Sequence, residues 1–265
     1  MTLKEKYGKT ALVAGASEGL GAEYARYLAA AGFDLVLVAR RPAPLQELAT
    51  ALSAEYGILA TCISCDLAQA AAASDLKEKL ADREINLLVY NAAIPYIGEF
   101  EKNTMAHHNQ IAQANMVTPM NILHLFGDPM LQKGRGAIVL MASLAGFQGS
   151  GFLSMYAATK AFDRVLAEGL WYEWRTKGVD VIACCAGATA TPNFINTKPE
   201  KIGFFDAPVQ EPKEVVAECF QKIGKTPSFV SGSSNKWITF FMQRLLPRKL
   251  AITIMGDAAR KMYRL

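Results

Sequence analysis

The chain has 265 residues, 51% of them hydrophobic and 20% charged, enough for one large buried core and too apolar for a disordered chain. Its net charge of +4 is unevenly spread: residues 236–265 carry seven basic side chains and one acidic one, while the rest of the chain is weakly acidic. That distribution argues against a nucleic-acid partner and marks a local device at the C-terminal end.

The N-terminal residues Lys4, Glu5, Lys6 and Lys9 precede an apolar run broken by Gly15 and Glu18, which is not a secretion signal. Cys62, Cys65, Cys184, Cys185 and Cys219 are an odd number, and reduced thiols in a cytoplasmic setting are expected. Cys62 and Cys65 have the spacing of half a zinc ribbon, but no second such pair follows, so packing is expected rather than a metal. No run of about 18 apolar residues is present to span a bilayer.

In chain order, nearly continuous apolar runs at 10–14, 34–39, 60–64, 87–90, 137–142 and 179–185 read as strands buried on both faces. Helical periodicity occupies 19–31, 44–55 and 68–81, and two longer helical segments, 104–131 and 154–177, flank the fifth strand. This alternation predicts an α/β fold: a Rossmann-type doubly wound parallel sheet in a single domain, with ligands beyond the carboxyl ends of the strands. The domain is expected over 1–235, including a loop or short helices at 191–211, and 236–265 reads as a basic amphipathic tail.

Directly after the first strand stands Ala14-Gly15-Ala16-Ser17-Glu18-Gly19-Leu20-Gly21. Gly15, Gly19 and Gly21 allow a tight turn and close approach of a pyrophosphate, which the N-H groups opening the next helix would stabilise. Tight strand-to-helix packing is the alternative, since the spacing is not the usual G-x-G-x-x-G. The second strand ends in Arg40 and Arg41, about where an NAD site carries an acid for the ribose 2′-hydroxyl. Two guanidinium groups suit a 2′-phosphate, which favours NADP(H) over NAD(H); solvated surface charge is the other reading of Arg41. Ser17 offers one more hydroxyl, whereas Glu18 must point away from a phosphate.

Tyr156 and Lys160 lie one helical turn apart, and no other tyrosine in the chain has a lysine four residues on. An ammonium there favours the ionised phenol, which general acid-base work near neutrality requires of a group whose ordinary pKa is about 10. Ser143 stands thirteen positions earlier, at the end of a predicted strand.

Together these motifs resemble the short-chain dehydrogenase/reductase family over about 9–191. The resemblance is carried by the glycine turn, Asp66, Tyr90-Asn91-Ala92-Ala93, Asn115, Ser143, Tyr156, Lys160 and Ala186-Gly187-Ala188-Thr189-Ala190-Thr191. It implies an oxidoreductase in which Tyr156 exchanges the proton, Ser143 bonds the carbonyl oxygen and Lys160 holds the nicotinamide ribose. Asn115 would anchor a water that relays protons to that lysine. Gly15, Ser17, Gly19, Leu20, Gly21, Asp66, Leu67, Asn91, Ala92, Gly187, Thr189 and Thr191 would contact the cofactor, with Asp66 and Leu67 framing the adenine. Ala14, Tyr90, Ala93 and Ala186 depart from the commonest family pattern without removing a catalytic group. The family's four-helix dimers imply a homodimer or homotetramer here. A dinucleotide-binding regulator without turnover is the alternative function.

His107, His108, His124, Trp171 and Trp174 read as surface or packing residues. Substrate choice is expected to lie in 146–152 and 191–207, where Phe147, Phe152, Phe194, Phe204 and Phe205 suit a small apolar ketone, aldehyde or alcohol. The tail interleaves Trp237, Phe240, Phe241, Leu245 and Leu246 with Arg244, Arg248 and Lys249, and Pro247 divides it. A lid or subunit contact is favoured for it over peripheral contact with an anionic membrane surface.

Overall fold

Strands without polar alternation require cover on both faces, and this chain provides it. The computed structural model describes residues 1–81, 83–200 and 208–265. Seven parallel strands, β1 (Thr10–Ala14), β2 (Asp34–Ala39), β3 (Ala60–Ser64), β4 (Leu87–Tyr90), β5 (Gly136–Ser143), β6 (Val179–Ala186) and β7 (Ser228–Val230), form one sheet in the order β3-β2-β1-β4-β5-β6-β7. The order reverses between β1 and β4, whose last residues Ala14 and Tyr90 pair, so the crevice of a doubly wound sheet opens there.

The described helices are α1 (Leu3–Tyr7), α2 (Gly19–Ala30), α3 (Pro42–Tyr56), α4 (Ala72–Leu80), α5 (Met105–Ala112), α6 (Thr118–Lys133), α7 (Ser154–Trp174), α8 (Pro192–Asn196), α9 (Pro212–Lys222), α10 (Ser233–Arg244) and α11 (Arg248–Tyr263). Alternate strand residues serve two separate cores. Val13, Leu35, Leu37 and Val139 pack with Leu28 of α2, Leu45 of α3 and Val216 of α9. Leu12, Val36, Val38 and Leu140 pack with Leu76 of α4, Phe126 of α6 and Ala167 of α7. Each such large aliphatic side chain contributes roughly 1.5–3 kcal/mol by leaving water, which is why both strand faces had to be apolar.

Several boundaries differ from expectation for local reasons. The helix predicted from 68 begins at Ala72, because Asp66 accepts from the Ala68 N-H and turns the chain first. The segment predicted as one helix over 104–131 contains a π-helical turn, Gln113–Val117, with Thr118 N-H donating to the Gln113 carbonyl. Pro119 has no N-H for the carbonyls of Ala114 and Asn115, five and four residues earlier, and the helix widens there. The short edge strand β7 and α9 follow Ala186 where only loosened rhythm was legible. Pro247 separates α10 from α11 as expected, and the boundary drawn between Asn235 and Lys236 falls inside α10. Phe204, Phe205 and the rest of 201–207 lie outside the described residues.

Candidate active site

The glycine turn is shaped by close backbone approach. A Cβ on Gly21 would lie 1.8 Å from the Gly15 carbonyl oxygen, and one on Gly15, whose φ is +82°, would lie 2.7 Å from the backbone of Ala92. Asn91 braces the loop by donating its side-chain amide to the Gly15 carbonyl at 3.1 Å, and the Asn91 and Ala92 N-H groups donate to the Ala14 carbonyl. At the start of α2, Glu18 makes no side-chain cap, so the first-turn N-H groups around Gly19, Leu20 and Gly21 are available to an anion. Ser17 lies in the same turn. A dinucleotide pyrophosphate therefore fits the helix end, while the glycines serve the close backbone approach that shapes the turn.

Glu18 does point away from that cradle: it pairs with Arg41 at 2.6 Å. Arg41 stands at the N-cap position of α3 without a side-chain capping bond, and Arg40 is exposed beside it. Asp66 turns its carboxylate onto the Ala68 N-H and the Gln69 amide, while the Leu67 side chain is buried and its carbonyl accepts from Thr118. Cys62 and Cys65 face different carbonyls, those of Leu45 and Ala72.

On the other side of the crevice, Ser143 ends β5 and its hydroxyl accepts from the Ala145 N-H. Tyr156 lies in the first turn of α7, and Lys160 one turn later holds its Nζ 5.9 Å from the centre of the Tyr156 ring. That ammonium donates to the Met141 carbonyl on β5 at 2.6 Å and to Asp163 Oδ2 at 3.0 Å. Burial pulls Lys160 toward its neutral form, but Asp163 and Tyr156 outweigh it and hold the ammonium above the ordinary lysine range. Burial raises the carboxyl of Asp163, with Lys160 opposing.

Asn115 is fully buried in the π-helical turn. Its amide donates to the Ile94 carbonyl and to Thr159, and its oxygen accepts the Ile94 N-H. The Tyr90 hydroxyl donates to the Ala114 carbonyl at 2.6 Å, supplying the partner that Pro119 cannot. The departure at Tyr90 is thus a tie between β4 and this turn.

Gly187 lets Asn235 of α10 approach β6, since a Cβ there would lie 2.6 Å from its amide nitrogen. Thr189 donates to the Gly187 carbonyl, and Thr191 caps α8 while touching the space above Gly19. The tail roofs the loop after β5: Gln243 donates to Gln148, Arg248 to the Phe147 carbonyl, and Gly256 approaches Gly151. Arg260 lies over the Phe152 ring, and half-buried Tyr263 is near enough to Tyr156 that a phenolate there would raise it further than burial alone does.

The sequence profile of the short chain dehydrogenase family matches residues 9–202. The chain belongs to that family. A 7β-hydroxysteroid dehydrogenase of Clostridium sardiniense is 33% identical to this short chain dehydrogenase over 236 residues, 89% of this chain and 90% of that one. A solved 7β-hydroxysteroid dehydrogenase, studied for its stereoselectivity, superposes with TM-score 0.91 at 28% identity and covers 96% of this chain and 99% of its own. A short-chain dehydrogenase from Sphingobium yanoikuyae in complex with NADPH superposes with TM-score 0.76 at 30% identity, covering 88% of this chain and 92% of that one. This dehydrogenase is accordingly an oxidoreductase of carbonyl and alcohol groups.

Asp163 and Tyr263 were not singled out from the sequence. Asp163 had a signal: it is an acid three residues after Lys160 on a helix face otherwise built for burial. Tyr263 had none, because only the packing of the tail on the body brings it near Tyr156.

Proposed function

We propose that this dehydrogenase uses NADP(H) to interconvert a bulky apolar ketone or aldehyde, steroid-like in size, with its alcohol, Tyr156 acting as general acid and base. The observation that carries the proposal is the convergence at the carboxyl end of β5: Lys160 grips the Met141 carbonyl, two residues before Ser143, while standing beside the Tyr156 ring. In reduction Tyr156 gives its proton to the carbonyl oxygen, and Ser143 donates a hydrogen bond to that oxygen as charge develops. Lys160 holds ribose hydroxyls and supplies positive charge to the phenol. The side-chain amide of Asn115 is saturated, so a relaying water would rest on its carbonyl, whose helical donor position is Pro119. The bound dinucleotide supplies or accepts the hydride.

Gly15, Gly19 and Gly21 hold the turn in the shape that presents its N-H groups to the pyrophosphate, with Ser17 and Leu20 in the same turn. Asp66 and Leu67 border the adenine, Asn91 and Ala92 floor the crevice, and Gly187, Thr189 and Thr191 close it. Arg40 and Arg41 take the 2′-phosphate. An exposed pair such as Arg41 with Glu18 is worth about 0–1 kcal/mol and gives way to a bidentate phosphate contact. The absence of an acid at the end of β2 and the NADPH-bound relative support NADP(H) over NAD(H).

Phe147 and Phe152, which the tail helices touch, and Phe194 of α8, together with the hydroxysteroid dehydrogenase relatives, support a large apolar substrate. The contacts of α10 and α11 with the loop after β5 support a lid rather than a membrane-surface helix, and among the described residues no helix is long and apolar enough to cross a membrane. A cytoplasmic homodimer or homotetramer, joined through α6 and α7, completes the proposal; Met120, Val165 and Tyr172 stay exposed there.

Oxidation of NADPH and NADH followed by absorbance with a panel of steroid, fatty-acyl and aromatic ketones tests it. Turnover with a steroid-sized ketone, preference for NADPH, and loss of about 10²–10⁴-fold in Tyr156→Phe are expected. Dinucleotide binding without turnover on any ketone would instead indicate a regulator.

A further inference from the structure

We propose that Asp163 is a positioning residue for the reaction, the buried counter-ion that keeps Lys160 charged and pinned to β5. The role rests on Lys160 serving the cofactor and the phenol as set out above. The side chains of Lys160 and Asp163 are 4% and 3% exposed, on the inward face of α7 that also carries Ala157, Thr159 and Ala167. An apolar residue would be the ordinary occupant of position 163. Asp163 instead spends one oxygen on Lys160 and leaves the other, Oδ1, buried without a hydrogen-bond partner. Buried pairs with imperfect hydrogen bonding return little or nothing to stability compared with well-packed apolar residues. Packing therefore gives no reason for an acid here.

The needs of Lys160 do give one. An ammonium has three N-H donors; the Met141 carbonyl and Asp163 use two, and one remains for a ribose hydroxyl. The Lys160 side chain is only 4% exposed, and burial acts to discharge it. The titratable groups facing the pair are Tyr90 from β4, Cys185 from β6 and Tyr156 from the preceding turn of α7. Burial holds Tyr90 neutral and pushes the Cys185 thiol up to about 12, so neither offers a standing negative charge near pH 7. Arg164, next in sequence, is committed to Glu168 on the following turn. Tyr156 carries its proton when it acts as the acid, so among the described residues Asp163, where Lys160 opposes the rise that burial imposes on its carboxyl, is left as the standing counter-charge of Lys160.

Asp163→Asn keeps the shape and removes the charge. In that variant the acid limb of alcohol oxidation, which needs Tyr156 as the base, should move up by at least about one unit as Lys160 discharges and no longer favours the phenolate, and the NADPH Kd at pH 8 should rise about tenfold. Asp163→Glu, which restores the charge, should return the acid limb toward its original position. Should Asp163→Asn fail to fold, Asp163→Ser, roomy enough for a water, carries the same expectation. An unchanged acid limb and unchanged NADPH affinity in a folded neutral variant would overturn the proposal, whatever happens to its melting temperature. Lys160→Met, measured alongside, separates the two levels. If it retains full activity, the role of Lys160 itself fails; if it is inactive while Asp163→Asn keeps its profile, only the role of Asp163 fails.

Discussion

The turn between β1 and α2 and the outer face of α10 obey opposite rules. Around Gly15 and Gly21 backbone approaches backbone so closely that one added methyl group collides. On α10, Trp237, Phe240 and Phe241 follow helical spacing yet stay half or more exposed, Trp237 at 74%, and the Trp237 and Phe240 rings meet edge to face. The inner face of the same helix is buried through Asn235 and Met242. In the first region the chain path itself is the functional part; in the second, polar contacts fasten a helix whose outer apolar groups stay half or more exposed to water.

The sharpest test of that contrast is Gly21→Ala. Its Cβ would displace the Gly15 carbonyl, and a cost of about 3 kcal/mol with loss of NADPH binding beyond about 100-fold is expected in urea unfolding and fluorescence titration. Next comes Asn235→Leu. Asn235 is fully buried and donates to Gln210 and to the Ser231 carbonyl, so unpaired acceptors should cost about 2 kcal/mol and loosen the tail, visible as faster proteolysis within α10.

A smaller effect is expected at Glu218, which ties α9 to the start of α10 by accepting from Ser231, the Gly232 N-H and Lys236. Burial pushes its carboxyl up, but those donors outweigh it and hold it below the ordinary carboxylate range. With the folded value depressed, the stabilisation is present above the unfolded carboxylate value, about pH 4.5, and is lost as pH falls through the lower folded one. Glu218→Gln should therefore melt lower than the unaltered enzyme at pH 7, by about 1 kcal/mol or less given the half-exposed lysine, with the gap closing toward pH 3. The smallest change belongs to Trp237→Ser with Phe240→Ser, within about 0.5 kcal/mol for a dilute single chain. A larger loss that grows with protein concentration would show that another copy covers this face.

How much the sequence revealed followed the range of the interactions involved. The first six strands were legible because each is buried on both faces and so apolar throughout, and the glycine turn because it needs φ values that few other residues adopt. Tyr156 and Lys160 were legible because their relation is one helical turn. The break at Gln113–Val117 was harder: Pro119 was visible, but Tyr90 supplying the missing donor from a strand 24 residues earlier in the chain was not. The edge strand β7 has only three residues, too few for a period.

The sequence by itself determined the α/β sheet, the glycine cradle, the spacing of tyrosine and lysine and the uneven charge, because each is written in neighbouring residues. Only the tertiary structure decided that Glu18 turns to Arg41, that Lys160 is held between Met141 and Asp163, and that the basic tail folds over the loop after β5. Those outcomes depend on which distant groups share a water-poor space, where the partner of a charge is chosen by packing rather than by its place in the chain.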